Sequence, residues 1–228
     1  MTTFVLVHGA WGGSYGFRRV RPLLRAQGHE VFTPSLTGIG ERSHLTGPLV
    51  SLTTHVLDVV NTVRYEDLDD IVLLGFSYGG MVVTGALDAI GDRVRELVYL
   101  DAFVPADGQS VVALAAGRDV PQGLGAPWLI PPSEREYESA EIAAFSRPRR
   151  TPQPARTFSE PVRLGTPLEQ GPFGLTYIRA TAEPNAAFEA AAARAGASPA
   201  WRLHEIDTGH MVPENRPDEL ASILLALA

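Results

Sequence analysis

At 228 residues, 45% of them hydrophobic, the chain has room for one α/β domain with a sizeable core and an inserted subdomain. A formal net charge of -7 with no long basic run argues against nucleic acid or an anionic membrane as a partner. The absence of cysteine excludes a disulfide framework, a thiolate metal site and a cysteine nucleophile.

Met1-Thr2-Thr3 leads straight into Phe4-Val5-Leu6-Val7 with no basic n-region or cleavage site, and no stretch resembles a membrane span. A cytoplasmic protein is expected. Phe4 to Val7 reads as a strand running into His8-Gly9-Ala10-Trp11-Gly12-Gly13, and Tyr15 to Gln27 carries apolar residues at helical spacing. His29 to Pro34 supplies a second strand, Ser35 to Arg42 a loop of turn formers, and Val50 to Arg64 a helix. A strand over Ile71 to Ser77, a helix from Gly79 to about Ile90 and a strand from Glu96 to Phe103 follow. Strands alternating with helices imply right-handed crossovers and a mostly parallel sheet of about six strands, covered by helices on both faces.

From about residue 104 to 173 the alternation breaks into proline and glycine punctuation, with Pro121, Pro131, Pro132 and Pro154 among the prolines. Seventy residues is too long for a bare connection, so the single domain over 1–228 is expected to carry an inserted lid with short helices, one near Glu134 to Phe145. Trp11 and Trp128 are candidate substrate-contacting aromatics. Packing of the lid onto the sheet is the competing role for Trp128, Tyr137, Phe145 and Phe158. Leu175 to Thr181 resumes as a strand, Asn185 to Ala195 as a helix, Trp201 to Ile206 as the last strand and Arg216 to Leu227 as the closing helix.

Gly75-Phe76-Ser77-Tyr78-Gly79 fits G-x-S-x-G at the corner between a buried strand and a helix, where a sharp turn holds a serine hydroxyl above the sheet edge. A serine hydroxyl needs a base, and the base needs a carboxylate to hold its tautomer. His210, on the loop after the last strand, is the natural base. The acid has two candidates. Asp101 is favoured because a carboxylate ending a buried strand needs a partner, and Glu183, after the following strand, is the alternative. Asp207 is read as a turn cap and His8 as a buttress of the glycine loop. An oxyanion would be held by the backbone N–H groups of Tyr78 and Ala10, with that of Trp11 as the neighbouring candidate.

These segments together resemble the α/β-hydrolase superfamily, within it the branch of plant methyl esterases and hydroxynitrile lyases with their bacterial esterase relatives. The likeness rests on Val5 to Ala10, Pro22 to Val31, Gly75 to Met81, Leu97 to Pro105 and Gly209-His210. It implies the α/β-hydrolase fold, Ser77 as nucleophile, His210 as base and the amides of Ala10 and Tyr78 as oxyanion donors. Gly9 and Met211 stand where the lyases carry threonine and lysine, which disfavours cyanohydrin cleavage. Plant-type members place an aspartate where this chain has Glu183, whereas other members take their acid from the strand end that here carries Asp101. Ser77 also excludes the branches with an aspartate nucleophile.

The expected activity is hydrolysis of carboxylic esters, lactones being a second substrate class, through an acyl-enzyme and without metal or cofactor. The expected partner is a small-molecule ester, with neither nucleic acid nor membrane, and the oligomeric state is open. A non-hydrolytic small-molecule receptor and a hydroxynitrile-lyase-like enzyme on the same scaffold are the alternatives.

Overall fold

The computed structural model describes residues 1–115 and 127–228, so Pro121 of the expected lid lies outside the described residues. In chain order come β1 (Thr3–Val7), α1 (Val20–Ala26), β2 (Glu30–Phe32), α2 (Leu52–Tyr65), β3 (Ile71–Phe76), α3 (Gly79–Ile90) and β4 (Val94–Leu100). The inserted stretch holds α4 (Val111–Leu114), β5 (Leu129–Ile130), α5 (Ala140–Ser146), β6 (Gln153–Pro154) and α6 (Arg156–Ser159). The chain closes with β7 (Gly174–Ala180), α7 (Ala186–Gly196), β8 (Trp201–Ile206), α8 (Val212–Asn215) and α9 (Pro217–Ala226).

Six strands form one sheet in the order β2-β1-β3-β4-β7-β8, with every neighbouring pair parallel. Alternation along each strand divides the core in two, because successive side chains point to opposite faces. Ile71 and Leu73 of β3 pack with Val59 and Val63 of α2 and Val82 and Val83 of α3. Val72, Leu74 and Phe76 face the other way, into a cluster with Val20 and Leu24 of α1 and Leu220 and Leu224 of α9. All six residues of β3 are buried, which is why the strand reads as an unbroken apolar run. The strand order reverses direction between β1 and β3, and in parallel sheets the crevice beyond the carboxyl ends at such a point receives ligands. Among the described residues no helix is long and apolar enough to cross a membrane.

Two expected helices differ from those formed. The Tyr15 to Gln27 stretch splits into a 3₁₀ turn over Ser14–Phe17 and α1, whose start at Val20 puts Pro22 in the first turn. There its missing N–H costs nothing, whereas a helix continuous from Tyr15 would lose a bond at Pro22 and clash with the preceding turn. The helix expected near Glu134 to Phe145 starts only at Ala140, where the Ser139 hydroxyl caps it by accepting the Ile142 N–H at 3.1 Å. Residues 134–137 are irregular and border the site described below.

The start of α3 lies so close to the neighbouring loop that a Cβ on Gly80 would sit 2.1 Å from the Phe103 carbonyl oxygen. That obstacle is backbone at the end of a central strand and cannot swing aside. Gly80→Ala is expected to destabilise the fold by about 3 kcal/mol, read as a lower denaturant midpoint at unchanged slope.

Candidate active site

Ser77 follows β3 directly and has φ of 58°, a left-handed conformation that a non-glycine residue holds only under constraint. The constraint is visible in the hydrogen bonds. The Ser77 N–H donates to the Leu100 carbonyl at 3.1 Å, and the Ser77 carbonyl accepts from the N–H groups of Gly80 at 3.1 Å and Phe103 at 3.2 Å. A Cβ on Gly75 would meet the Gly79 carbonyl oxygen at 2.6 Å, and one on Gly79 the Val7 carbonyl oxygen at 2.6 Å. The G-x-S-x-G spacing is thus the steric signature of a strand and a helix packed against one another at a tight corner.

Asp101, immediately after β4, is also left-handed, with φ of 41°, and only 2% exposed. Its Oδ1 accepts the Ala180 N–H at 3.2 Å and its Oδ2 accepts from His210 Nδ1 at 2.6 Å. The other ring nitrogen of His210, Nε2, accepts the Ser77 hydroxyl at 2.9 Å. Three strand-end loops therefore bring Ser77, His210 and Asp101 into one continuous hydrogen-bond chain. Phe76 and Phe188 lie against the imidazole at centroid distances of 4.8 and 5.2 Å, both stacked.

Burial lowers the His210 pKa below 6.5, and the nearby Arg135 charge adds to that, against the opposing pull of the Asp101 carboxylate. The neutral ring, the form that can accept a proton, therefore persists to lower pH than in a free histidine. The sign of the pH dependence follows. If His210 is the base, kcat/KM is expected to be full above this lowered pKa and to fall as pH drops through it. A rate profile measured down to pH 4 should show the acid limb below 6.5.

Glu183 stands elsewhere. It is exposed, borders the cavity, and its Oε2 accepts the backbone N–H of His210 at 3.5 Å; no bond joins its carboxylate to the ring. Asp207 is exposed and meets only the Thr181 hydroxyl, at 3.5 Å. His8 is buried, with Nδ1 donating to the Gly9 carbonyl at 2.9 Å and Nε2 accepting the Leu36 N–H at 3.1 Å, so both nitrogens are occupied in holding the glycine loop.

Ala10 and Tyr78 border the cavity beside Ser77, and among the described residues neither backbone N–H has an acceptor. The Trp11 N–H is taken by Gln153 Oε1 at 3.0 Å, which removes Trp11 from the oxyanion candidates. Its indole N–H donates to the Ile130 carbonyl at 3.1 Å and its ring meets Phe158 edge-on. Below Tyr78, a fully buried His55 accepts the phenol hydroxyl at Nδ1 (2.9 Å) and donates from Nε2 to the Thr37 carbonyl (2.8 Å). Burial drives the His55 pKa down to about 3, keeping it neutral as this pairing requires.

The cavity above Ser77 has a volume of about 570 Å³, and Trp11, Phe103, Val111, Phe158 and Phe188 supply apolar walls. Trp128 is not among its described lining residues, contrary to the expectation of substrate contact. Its segment is drawn into the β5–β6 ribbon, where its carbonyl accepts the Ala155 N–H at 2.7 Å. Phe145 is likewise elsewhere, between the guanidinium groups of Arg18 and Arg149 at 3.8 and 3.9 Å. Four residues with roles here escaped sequence reasoning: Phe188, Gln153, Arg135 and Glu138. Glu138 ties the insertion to the His210 loop, accepting from the Thr208 hydroxyl and the Gly209 N–H and pairing with Arg216 at 2.7 Å. None lies in a motif, and only contact in three dimensions reveals them.

The alpha/beta hydrolase family model matches residues 4–223. The carbendazim hydrolyzing esterase of Nocardioides sp. (strain SG-4G) is 38% identical over 248 residues, covering 100% of both chains. The alpha-hydroxynitrile lyase of Arabidopsis thaliana is 29% identical over 125 residues, which is 54% of this chain and 48% of the lyase. An extracellular alpha/beta-hydrolase from a Paenibacillus species, described as sharing structural and functional homology with tobacco salicylic acid binding protein 2, superposes with a TM-score of 0.80 at 25% identity. That match covers 100% of this chain and 99% of the other.

Proposed function

The chain belongs to the alpha/beta hydrolase family, and from that membership we propose that it is a serine hydrolase of carboxylic esters, lactones included, working through an acyl-enzyme. The observation that carries the proposal is the unbroken chain from the Ser77 hydroxyl through His210 to Asp101, at 2.9 and 2.6 Å. The full-length likeness to a carbendazim hydrolyzing esterase supports the same reaction class.

In this mechanism His210 Nε2 takes the Ser77 proton as Oγ attacks the ester carbonyl, and Asp101 stabilises the imidazolium and holds the ring. The N–H groups of Ala10 and Tyr78 receive the negative charge that develops on the carbonyl oxygen. His210 then gives its proton to the departing alcohol. Water, activated by the same nitrogen, cleaves the acyl-enzyme and releases the acid. The inserted segment over about 104–173 acts as the lid that closes the cavity and selects the substrate.

The test is turnover on a panel of aryl, alkyl and lactone esters with carbendazim added, alongside labelling by a fluorophosphonate. Steady-state hydrolysis blocked by stoichiometric labelling of Ser77 is the expected result. Labelling without turnover on any member of the panel would point instead to a receptor on this scaffold.

A further inference from the structure

Arg135 lies in the irregular stretch of the insertion and is the only Lys or Arg among the described residues bordering the main cavity. It also borders the smaller crevice behind the glycine loop, so it stands in the wall between the two. A guanidinium carries five N–H donors and no acceptor. Among the described residues, the hydrogen-bond contact it makes is from Nη1 to the Met211 sulfur, a thioether and a poor acceptor. No carboxylate oxygen among the described residues lies within the 4.0 Å of an ion pair, although Glu134, Glu136 and Glu183 border the same cavity. Those three are exposed and face solvent, whereas Arg135 is partly buried, and burial works against its charged state.

A partly desolvated guanidinium with most of its donors unfilled binds oxygen acceptors strongly, because charge-assisted bonds gain strength where water is scarce. The scissile carbonyl has its own donors in Ala10 and Tyr78, so the oxygen that fits Arg135 is a different one. Resting on the serine-hydrolase reading above, we propose that Arg135 is a specificity-determining residue, and that the preferred substrates carry a second oxygen acceptor, a carbonyl or a carboxylate, besides the scissile ester.

Two series of esters test this. In the acyl series, p-nitrophenyl pentanoate is compared with p-nitrophenyl 4-oxopentanoate and mono-p-nitrophenyl glutarate. In the alcohol series, phenyl acetate is compared with 4-acetylphenyl and 4-carboxyphenyl acetate. The readout is the ratio of kcat/KM for the oxygen-bearing ester to that for its plain analogue, taken separately in each protein, so any general loss of activity cancels. In at least one series Arg135→Met should lower that ratio about 10- to 100-fold relative to wild type, with Arg135→Lys in between because it keeps the charge without the fork. The ketone and carboxylate arms show which acceptor is favoured. Ratios equal to wild type in Arg135→Met across both series would overturn the inference while leaving the hydrolase reading intact. Undiminished hydrolysis by Ser77→Ala would instead overturn that reading.

Discussion

Replacing Ser77 by alanine is expected to lower kcat on p-nitrophenyl acetate by about 10⁴- to 10⁶-fold while the protein remains folded. The size follows from the proposed role. Without Oγ there is no acyl-enzyme, and what survives is the modest acceleration that an oxyanion site and a bound ester give to attack by water. The fold should persist because the turn is held by backbone, through the Ser77 N–H on the Leu100 carbonyl and the Ser77 carbonyl on Gly80 and Phe103, none of which needs the hydroxyl. Loss of a side chain from a left-handed position, with φ of 58°, is as apt to stabilise as to destabilise. Circular dichroism and a denaturant midpoint close to wild type, together with collapsed turnover, are the expected pair. Wild-type-like hydrolysis by the variant would end the mechanism.

The second large effect separates the two carboxylates. Asp101→Asn is expected to reduce kcat about 10⁴-fold, since an amide in place of Oδ2 can present N–H to Nδ1 and hold the ring in the tautomer that cannot accept the serine proton. The imidazolium would also lose its counter-charge in a site where the ring is only 13% exposed. Glu183→Gln should cost less than about 10-fold, because the Glu183 carboxylate meets the backbone of His210 at 3.5 Å and stands in solvent. Parallel kinetics on the two variants decide the matter, and equal mild losses would mean that neither carboxylate is the partner.

Much of the fold was legible because its causes are local. β3 is apolar at every position, and α3 begins at Gly79 as its glycine-rich start implies, so strand, corner and helix follow from one short run. β8 likewise forms over Trp201–Ile206. The alternation of strands and helices was enough to anticipate a parallel sheet and to locate the ends at which Ser77, Asp101 and His210 lie. The insertion was legible only as a break in pattern. Its proline-rich stretch holds short pieces such as the β5–β6 ribbon, which are stabilised by contacts with the sheet domain, among them Gln153 to Trp11, and not by any periodicity of their own.

The choice between Asp101 and Glu183 shows where sequence reasoning stops. Both follow strands, both lie in chain order between the serine and the histidine, and both are carboxylates at the same edge of the sheet. What separates them is the direction of a side chain. The left-handed turn at Asp101 aims its carboxylate inward to His210 and the Ala180 amide, while the loop of Glu183 leaves its own outside. By itself, then, the order of residues determined the sheet, the glycine corner and the identity of the nucleophile candidate, since these depend on neighbours a few positions apart. Which acid meets the imidazole, which aromatics border the cavity and where Arg135 sits were decided by tertiary packing, because each depends on the relative placement of loops separated by up to a hundred residues of chain.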